Sequence, residues 1–131
     1  TYYMYDTILL PIDKGDKSNI HSAKKAFKLA SNLNSTIYVL HVKSNNRPDC
    51  DDNISPINPV KNYFDDKYDD VIYNVEEGKP STKIKEYSES INSDLIIMTT
   101  YSQSWLRKLT IGSVTDNILK NVSCPVMVLS K

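Results

Sequence analysis

Apolar positions along this chain fall into short continuous runs, separated by stretches where they recur every three or four residues. Thr7–Ile12 (TILLPI) is too short for a helix and carries Pro11 ahead of Asp13, so it reads as a buried strand. Ser18 is a candidate cap for the helix that follows. In that helix Ala23, Ala26, Phe27, Ala30 and Leu33 share one face, and Lys24, Lys25 and Lys28 lie toward the other. Asn32 and Asn34-Ser35 are its stop signals. Ile37–Val42 (IYVLHV) is the second strand, apolar enough to be covered on both faces. Residues 44–70 change character, with Pro48, Pro56, Pro59 and two acidic runs, and accommodate one short helix near Val60–Tyr68. Val71–Val75 is the third strand, and Gly78 and Pro80 mark its turn. Ser81 is the candidate cap of a helix whose inner face is Ile84, Tyr87 and Ile91. Leu95–Thr99 is the fourth strand. A last helix opens at Gly112-Ser113, with Val114, Ile118 and Val122 inward, and Pro125–Leu129 is the final strand.

The order is β-α-β-(variable)-β-α-β-α-β. Such alternation implies right-handed crossovers and a parallel sheet with helices on both sides. Ligands of such sheets bind at the carboxyl ends of the strands, where the winding reverses. In this chain those ends are Ile12-Asp13, Val42 and Met98-Thr99.

Composition narrows the chemistry. The 131 residues suit one domain, spanning 1–131, with residues 44–70 as its variable segment. Sixteen basic and sixteen acidic side chains cancel, which disfavours a nucleic-acid binder. No apolar run approaches the roughly 18 residues of a membrane span. Thr1–Leu10 carries Asp6 and lacks a basic start, so no signal peptide is expected there. Two cysteines, Cys50 and Cys124, make no disulfide framework, and a reduced, cytoplasmic setting is expected. Cys124 is expected to be buried and inert. Three glycines, Gly15, Gly78 and Gly112, lie too far apart for a glycine-dense phosphate cradle.

No nucleophile–base pair and no metal-ligand spacing is present, so no catalytic residue and no metal site are assigned. His41, inside a strand, reads as a structural histidine. The acidic runs at 49–52 and 65–70 lack the spacing of a calcium loop and read as solvated surface. A response-regulator receiver shares this topology, but Asp13 stands alone and Glu76-Glu77 occupies the place of the receiver's aspartate.

Several segments in order resemble the universal stress protein family. They are Ile8-Leu9-Leu10-Pro11-Ile12-Asp13, Leu40-His41-Val42, Gly78-Lys79-Pro80, Asp94-Leu95-Ile96-Ile97-Met98, Leu109-Thr110-Ile111-Gly112-Ser113-Val114 and Cys124-Pro125-Val126-Met127-Val128. The resemblance covers nearly the whole chain outside about 44–70. It implies a flavodoxin-like, adenine nucleotide alpha hydrolase-like three-layer sandwich with a five-stranded parallel sheet of order 3-2-1-4-5. It also implies a homodimer paired through the last strand, here Pro125, Val126, Met127, Val128 and Leu129. A regulatory stress-response role and an unidentified protein partner come with the family.

Nucleotide-binding members resemble G-x2-G-x9-G-(S/T) from the fourth strand to the last helix. Here the glycine positions hold Thr99, Ser102 and Gly112; the x9 spacing and Ser113 are kept. Thr99 adds a β-branched side chain where a phosphate would approach, and Ser102 is strained if its place requires positive φ. Gly112-Ser113 at a helix start still offers free N–H groups and the positive dipole end. The resemblance nominates Pro11, Ile12, Asp13, Val42, Met98, Thr99, Ser102, Gly112, Ser113 and Val114 as nucleotide contacts. Each also has a plain reading: Asp13 as a turn former, Val42 and Met98 as core, Gly112-Ser113 as a helix start. Trp105 is either a lid or a packed surface residue. The adenosine side is retained and the phosphate side degraded. Two readings follow: a regulatory homodimer without turnover, or a binder of ATP or AMP with slow ATP hydrolysis, with Mg only if ATP binds.

Overall fold

A computed structural model describes residues 5–12, 17–43, 56–99, 118 and 122–129, with residues 17, 18 and 99 described by backbone alone. In chain order the elements are β1 (Thr7–Ile12), α1 (Lys17–Leu33), β2 (Thr36–Lys43), α2 (Ile57–Phe64), β3 (Val71–Glu77), α3 (Pro80–Ile91), β4 (Leu95–Thr99) and β5 (Val126–Leu129). All pairings are parallel, and the strands lie in the order β3-β2-β1-β4-β5. This is the parallel α/β sheet that the alternating pattern predicts, in the flavodoxin-like strand order that the resemblance implies.

Strand alternation divides the core in two. Ile8, Leu10 and Ile12 of β1, with Ile37, Val39, Leu95 and Ile97, pack against Ala23, Ala26 and Ala30 of α1 and Ile57, Val60 and Phe64 of α2. Leu9, Leu40, Val42, Ile96 and Met98 face the other way, against Ile84 and Ile118. The alanines let α1 approach the sheet closely. Phe64, fully buried, adds a transfer contribution of about 1.5–3 kcal/mol. Residue 118 is helical and buried, as the inward face assigned to the last helix requires.

Several boundaries differ from the sequence reading. Helix α1 already includes Lys17, so Ser18 is inside its first turn and is not the cap. The cap residue of α3 is Lys79, with Pro80 in the first turn and Ser81 buried within it. Proline fits there because its missing N–H would be unbonded in any case. Helix α2 starts and ends earlier than Val60–Tyr68, because Ile57, Val60 and Phe64 supply the buried face. Tyr68 is instead drawn beneath α1, where its hydroxyl lies against the carbonyls of Ala30 (3.2 Å) and Ser35. Asn34 ends α1 and Asn92 ends α3, both in the left-handed region at φ 56° and 52°. Gly78 has φ 143°, and a Cβ there would come within 2.9 Å of the Lys83 side chain.

The amino-terminal end of the sheet is tied by side chains. The Thr7 N–H donates to the Asp94 carboxylate at 3.0 Å, while the Asp94 N–H donates to the Thr7 carbonyl at 2.8 Å. The Thr36 hydroxyl donates to Asp70 at 3.0 Å, and the Ser35 hydroxyl donates to the Tyr5 carbonyl. Phe27 meets Tyr63 and Tyr68 edge-on, at centroid distances of 6.3 and 6.2 Å.

Three tyrosines resist ionisation in this setting. Burial, then the nearby Asp65 charge, pushes the Tyr73 phenol up to about 12. Burial and Asp70 raise Tyr68, and burial raises Tyr87. Unfolded tyrosine ionises near pH 10. Above that pH the unfolded chain sheds protons that the folded chain keeps, so stability is full below about 10 and falls as pH rises toward about 12. The urea midpoint should therefore drop across this window, and Tyr73→Phe should flatten the drop. A midpoint independent of pH there would contradict the tyrosine environments.

Candidate functional site

The β1–β2 ladder runs from Thr7↔Thr36 to Ile12↔His41, whereas the β1–β4 ladder covers Ile8↔Leu95 and Leu9↔Ile96 and goes no further. Pro11 explains the difference. In this register the odd-numbered residues of β1 turn their backbone groups toward β4, and the next rung needs an N–H at position 11. Proline has none. A proline in a central strand is tolerated here because its missing N–H falls at the end of the β1–β4 ladder. That ladder end lies between the two halves of the sheet, at the carboxyl ends, where ligands of such folds usually bind.

The described candidate residues divide by face. Pro11 shares the alternation of Leu9, so Pro11, Val42 and Met98 come together on the face toward α3 and Ile118. Val42 is 4% and Met98 1% exposed, so they form an apolar floor packed as core. Ile12 reaches the same end of the sheet but turns its side chain to the opposite face, beneath α1. Among these residues it is the one the sequence reading groups with the others and the fold separates, because neighbours in a strand point to opposite sides. Thr99 closes β4 opposite Leu129. Asp13, Ser102, Trp105, Gly112, Ser113 and Val114 lie outside the described residues.

His41 is buried on the Ile12 face. Its Nδ1–H donates to the Ile12 carbonyl at 3.3 Å, which agrees with a structural histidine and holds the end of β1 to β2. Cys124 is half-buried rather than fully buried. Its sulfur lies 3.5 Å from the Ser93 hydroxyl and 3.9 Å from that of Ser88, because it precedes an edge strand and is covered from one side only. The Asp65, Asp66, Asp69 and Asp70 side chains are exposed, as a solvated face requires; they line a shallow depression at the amino end of the sheet, away from the crevice. Among the described residues no group of His, Cys, Asp or Glu could hold a metal, and no helix is long and apolar enough to cross a membrane.

At the β5 edge Val126, Met127 and Leu129 are partly covered, and Val128 is 37% exposed. Pro125 precedes the strand and is exposed; its carbonyl accepts the Ile96 N–H at 3.0 Å.

Comparison with known proteins agrees with this architecture. The model of the universal stress protein family matches residues 4–130. A universal stress protein of Methanocaldococcus jannaschii is 25% identical over 98% of this chain and 84% of its own length. The universal stress protein of Archaeoglobus fulgidus in complex with dAMP has a TM-score of 0.73 at 15% identity, covering 95% of this chain and 98% of that one. A universal stress protein in complex with cAMP has a TM-score of 0.70 at 18% identity, covering 95% and 96%. The fold is thus that of a flavodoxin-like α/β protein, and the chain belongs to the universal stress protein family.

The sequence reading did not anticipate the role of Pro11 in ending the β1–β4 ladder. The signal was there: an odd-numbered proline whose backbone nitrogen faces the next strand. Truncating the crevice floor should act first on stability. Met98→Ala should lower the unfolding free energy by about 2–5 kcal/mol in urea titration, the usual range for a fully buried methionine. A loss under about 0.5 kcal/mol would mean that Met98 is not packed as core.

Proposed function

We propose that this chain is a regulatory module that acts by binding and without turnover, as a cytoplasmic homodimer, and that the ligand of its carboxyl-end crevice is an adenine nucleotide. The observation that carries this reading is the apolar floor of Pro11, Val42 and Met98 beside the end of the β1–β4 ladder. A flat base with apolar faces suits such a floor. The relatives bound to dAMP and cAMP support the same class of ligand, since both nucleotides carry adenine.

The phosphate side favours a short ligand. Thr99 and Ser102 stand where binders have glycine, while Gly112-Ser113 keeps one set of N–H donors and a hydroxyl for an anion. A monophosphate asks less of that loop than a triphosphate does. The second reading, an ATP binder with slow hydrolysis and Mg brought by the ATP, rests on the retained Gly112-Ser113 and its x9 spacing.

The homodimer reading rests on β5. It is an edge strand with exposed Val128 and no charged residue before Lys131. Apolar edges of this kind are normally paired or covered.

Two measurements test these readings. The first identifies any nucleotide that co-purifies under native conditions and titrates AMP and ATP by calorimetry. AMP should bind more tightly than ATP, and absence of binding by both would overturn the nucleotide reading. Thr99→Gly with Ser102→Gly should raise ATP affinity roughly tenfold, about 1.4 kcal/mol, and leave AMP little changed. In the second, light scattering of Val128→Lys should report a monomer where the unaltered chain reports a dimer; an unchanged dimer would remove the β5 interface.

A further inference from the structure

The sheet has a second edge, β3, and part of its outward backbone is already bonded within the chain. The Ile37 N–H donates to the Asp70 carbonyl and the Gly78 N–H to the Lys43 carbonyl, both at 2.9 Å. With the register Ile37↔Val71 through Lys43↔Glu77, the even-numbered residues of β3 bond to β2. The N–H groups of Val71, Tyr73, Val75 and Glu77 therefore turn outward. Val71 spends its N–H on the Asp69 carbonyl at 3.0 Å. The Val75 N–H, toward the middle of the edge, donates to Oδ1 of Asn74 at 3.0 Å. Nδ2 of Asn74 in turn donates to Oε2 of Glu76 at 3.2 Å. The Asn74 side chain is thus held at the edge by Val75 on one side of it and Glu76 beyond.

The apolar surface around this point is what an added strand would cover. Ile72 and Val75, each 45% exposed, flank the edge on opposite faces of the sheet. At β5 the pattern differs. Ile96 donates to the Pro125 carbonyl, so Val126 and Val128 turn their N–H groups outward, and among the described residues no side chain takes them.

We propose that Asn74 guards the β3 edge against strand addition by a second copy of this chain, and so confines self-pairing to β5. The proposal rests on the reading of β5 as the pairing edge. A subunit with two self-complementary edges at opposite ends of one sheet would assemble into an open-ended array, whereas one open edge closes at a dimer. Glu77 at the end of β3 and Asp70 just before its start add like-charge repulsion to antiparallel pairing of this edge with itself in the register that aligns the two ends.

The test compares Asn74→Val, Val128→Lys and the double variant with the unaltered chain by light scattering over a concentration series. The buffer contains about 0.5 M salt, so that surface charge does not mask pairing. Hydrogen exchange at the Val75 amide is measured alongside. Asn74→Val should associate beyond the dimer, the double variant should associate where Val128→Lys alone does not, and Val75 exchange should accelerate at least tenfold under conditions that keep the chain monomeric. Association unchanged by Asn74→Val would overturn the proposal, whether or not exchange accelerates. If Asn74→Val does not fold by circular dichroism, Asn74→Ala, which adds no bulk to the edge, is read by the same criteria. A dimer that persists in Val128→Lys overturns the β5 reading instead, and the comparison of Asn74→Val with the unaltered chain still decides the role of Asn74.

Discussion

Every backbone polar group of β1 must be hydrogen-bonded within the protein, because the strand is covered on both faces. This requirement organises the molecule. Both flanking strands run parallel to β1, so each crossover packs a helix on one face, and two separate cores result. It also locates the crevice. Position 11 offers no N–H to β4, so the ladder to that side ends while the ladder to β2 continues. The early end of that ladder follows from the same hydrogen-bond rule that holds the rest of the sheet together.

The two ends of the sheet are consequently built in different ways. At the amino end the connections are tied by Asp94 to Thr7, Thr36 to Asp70, Ser35 to Tyr5, and Tyr68 to the end of α1. These bonds hold the strands in register with no part in ligand contact. At the carboxyl end the described residues give an apolar floor and a histidine bond to the Ile12 carbonyl. The side-chain ties and the proposed ligand site thereby fall at opposite ends of the same strands, as is usual in open α/β sheets.

Much of this was legible in the sequence because the strands are short apolar runs and the helices carry one apolar face. The strand order came through the family resemblance and is the order observed. Helix starts were less legible. Ser18 and Ser81 are good cap residues by type, yet the caps fall elsewhere, since side-chain preference competes with the packing of Ile84 and with the proline at position 80. Helix α2 was displaced because Tyr68, apolar in pattern, serves through its hydroxyl rather than as a helical core residue. At the site, Val42 and Met98 share a face with Pro11 and Ile12 does not, because consecutive strand residues alternate, a division the sequence reading did not draw. The role of Asn74 was invisible to pattern reading: it depends on which backbone groups point outward, and that is known only once the register with β2 is fixed.

The tie between Thr7 and Asp94 joins residues 87 positions apart. During synthesis β1 can pair with β2 early, but its other side has no partner until β4 has left the ribosome. A strand buried along nearly its whole length thus waits for its second partner with one edge uncovered. Long-range parallel pairing of this kind slows folding and leaves intermediates open to aggregation. The same central position that secures β1 on both sides in the finished sheet makes its second pairing wait for a strand more than eighty residues later.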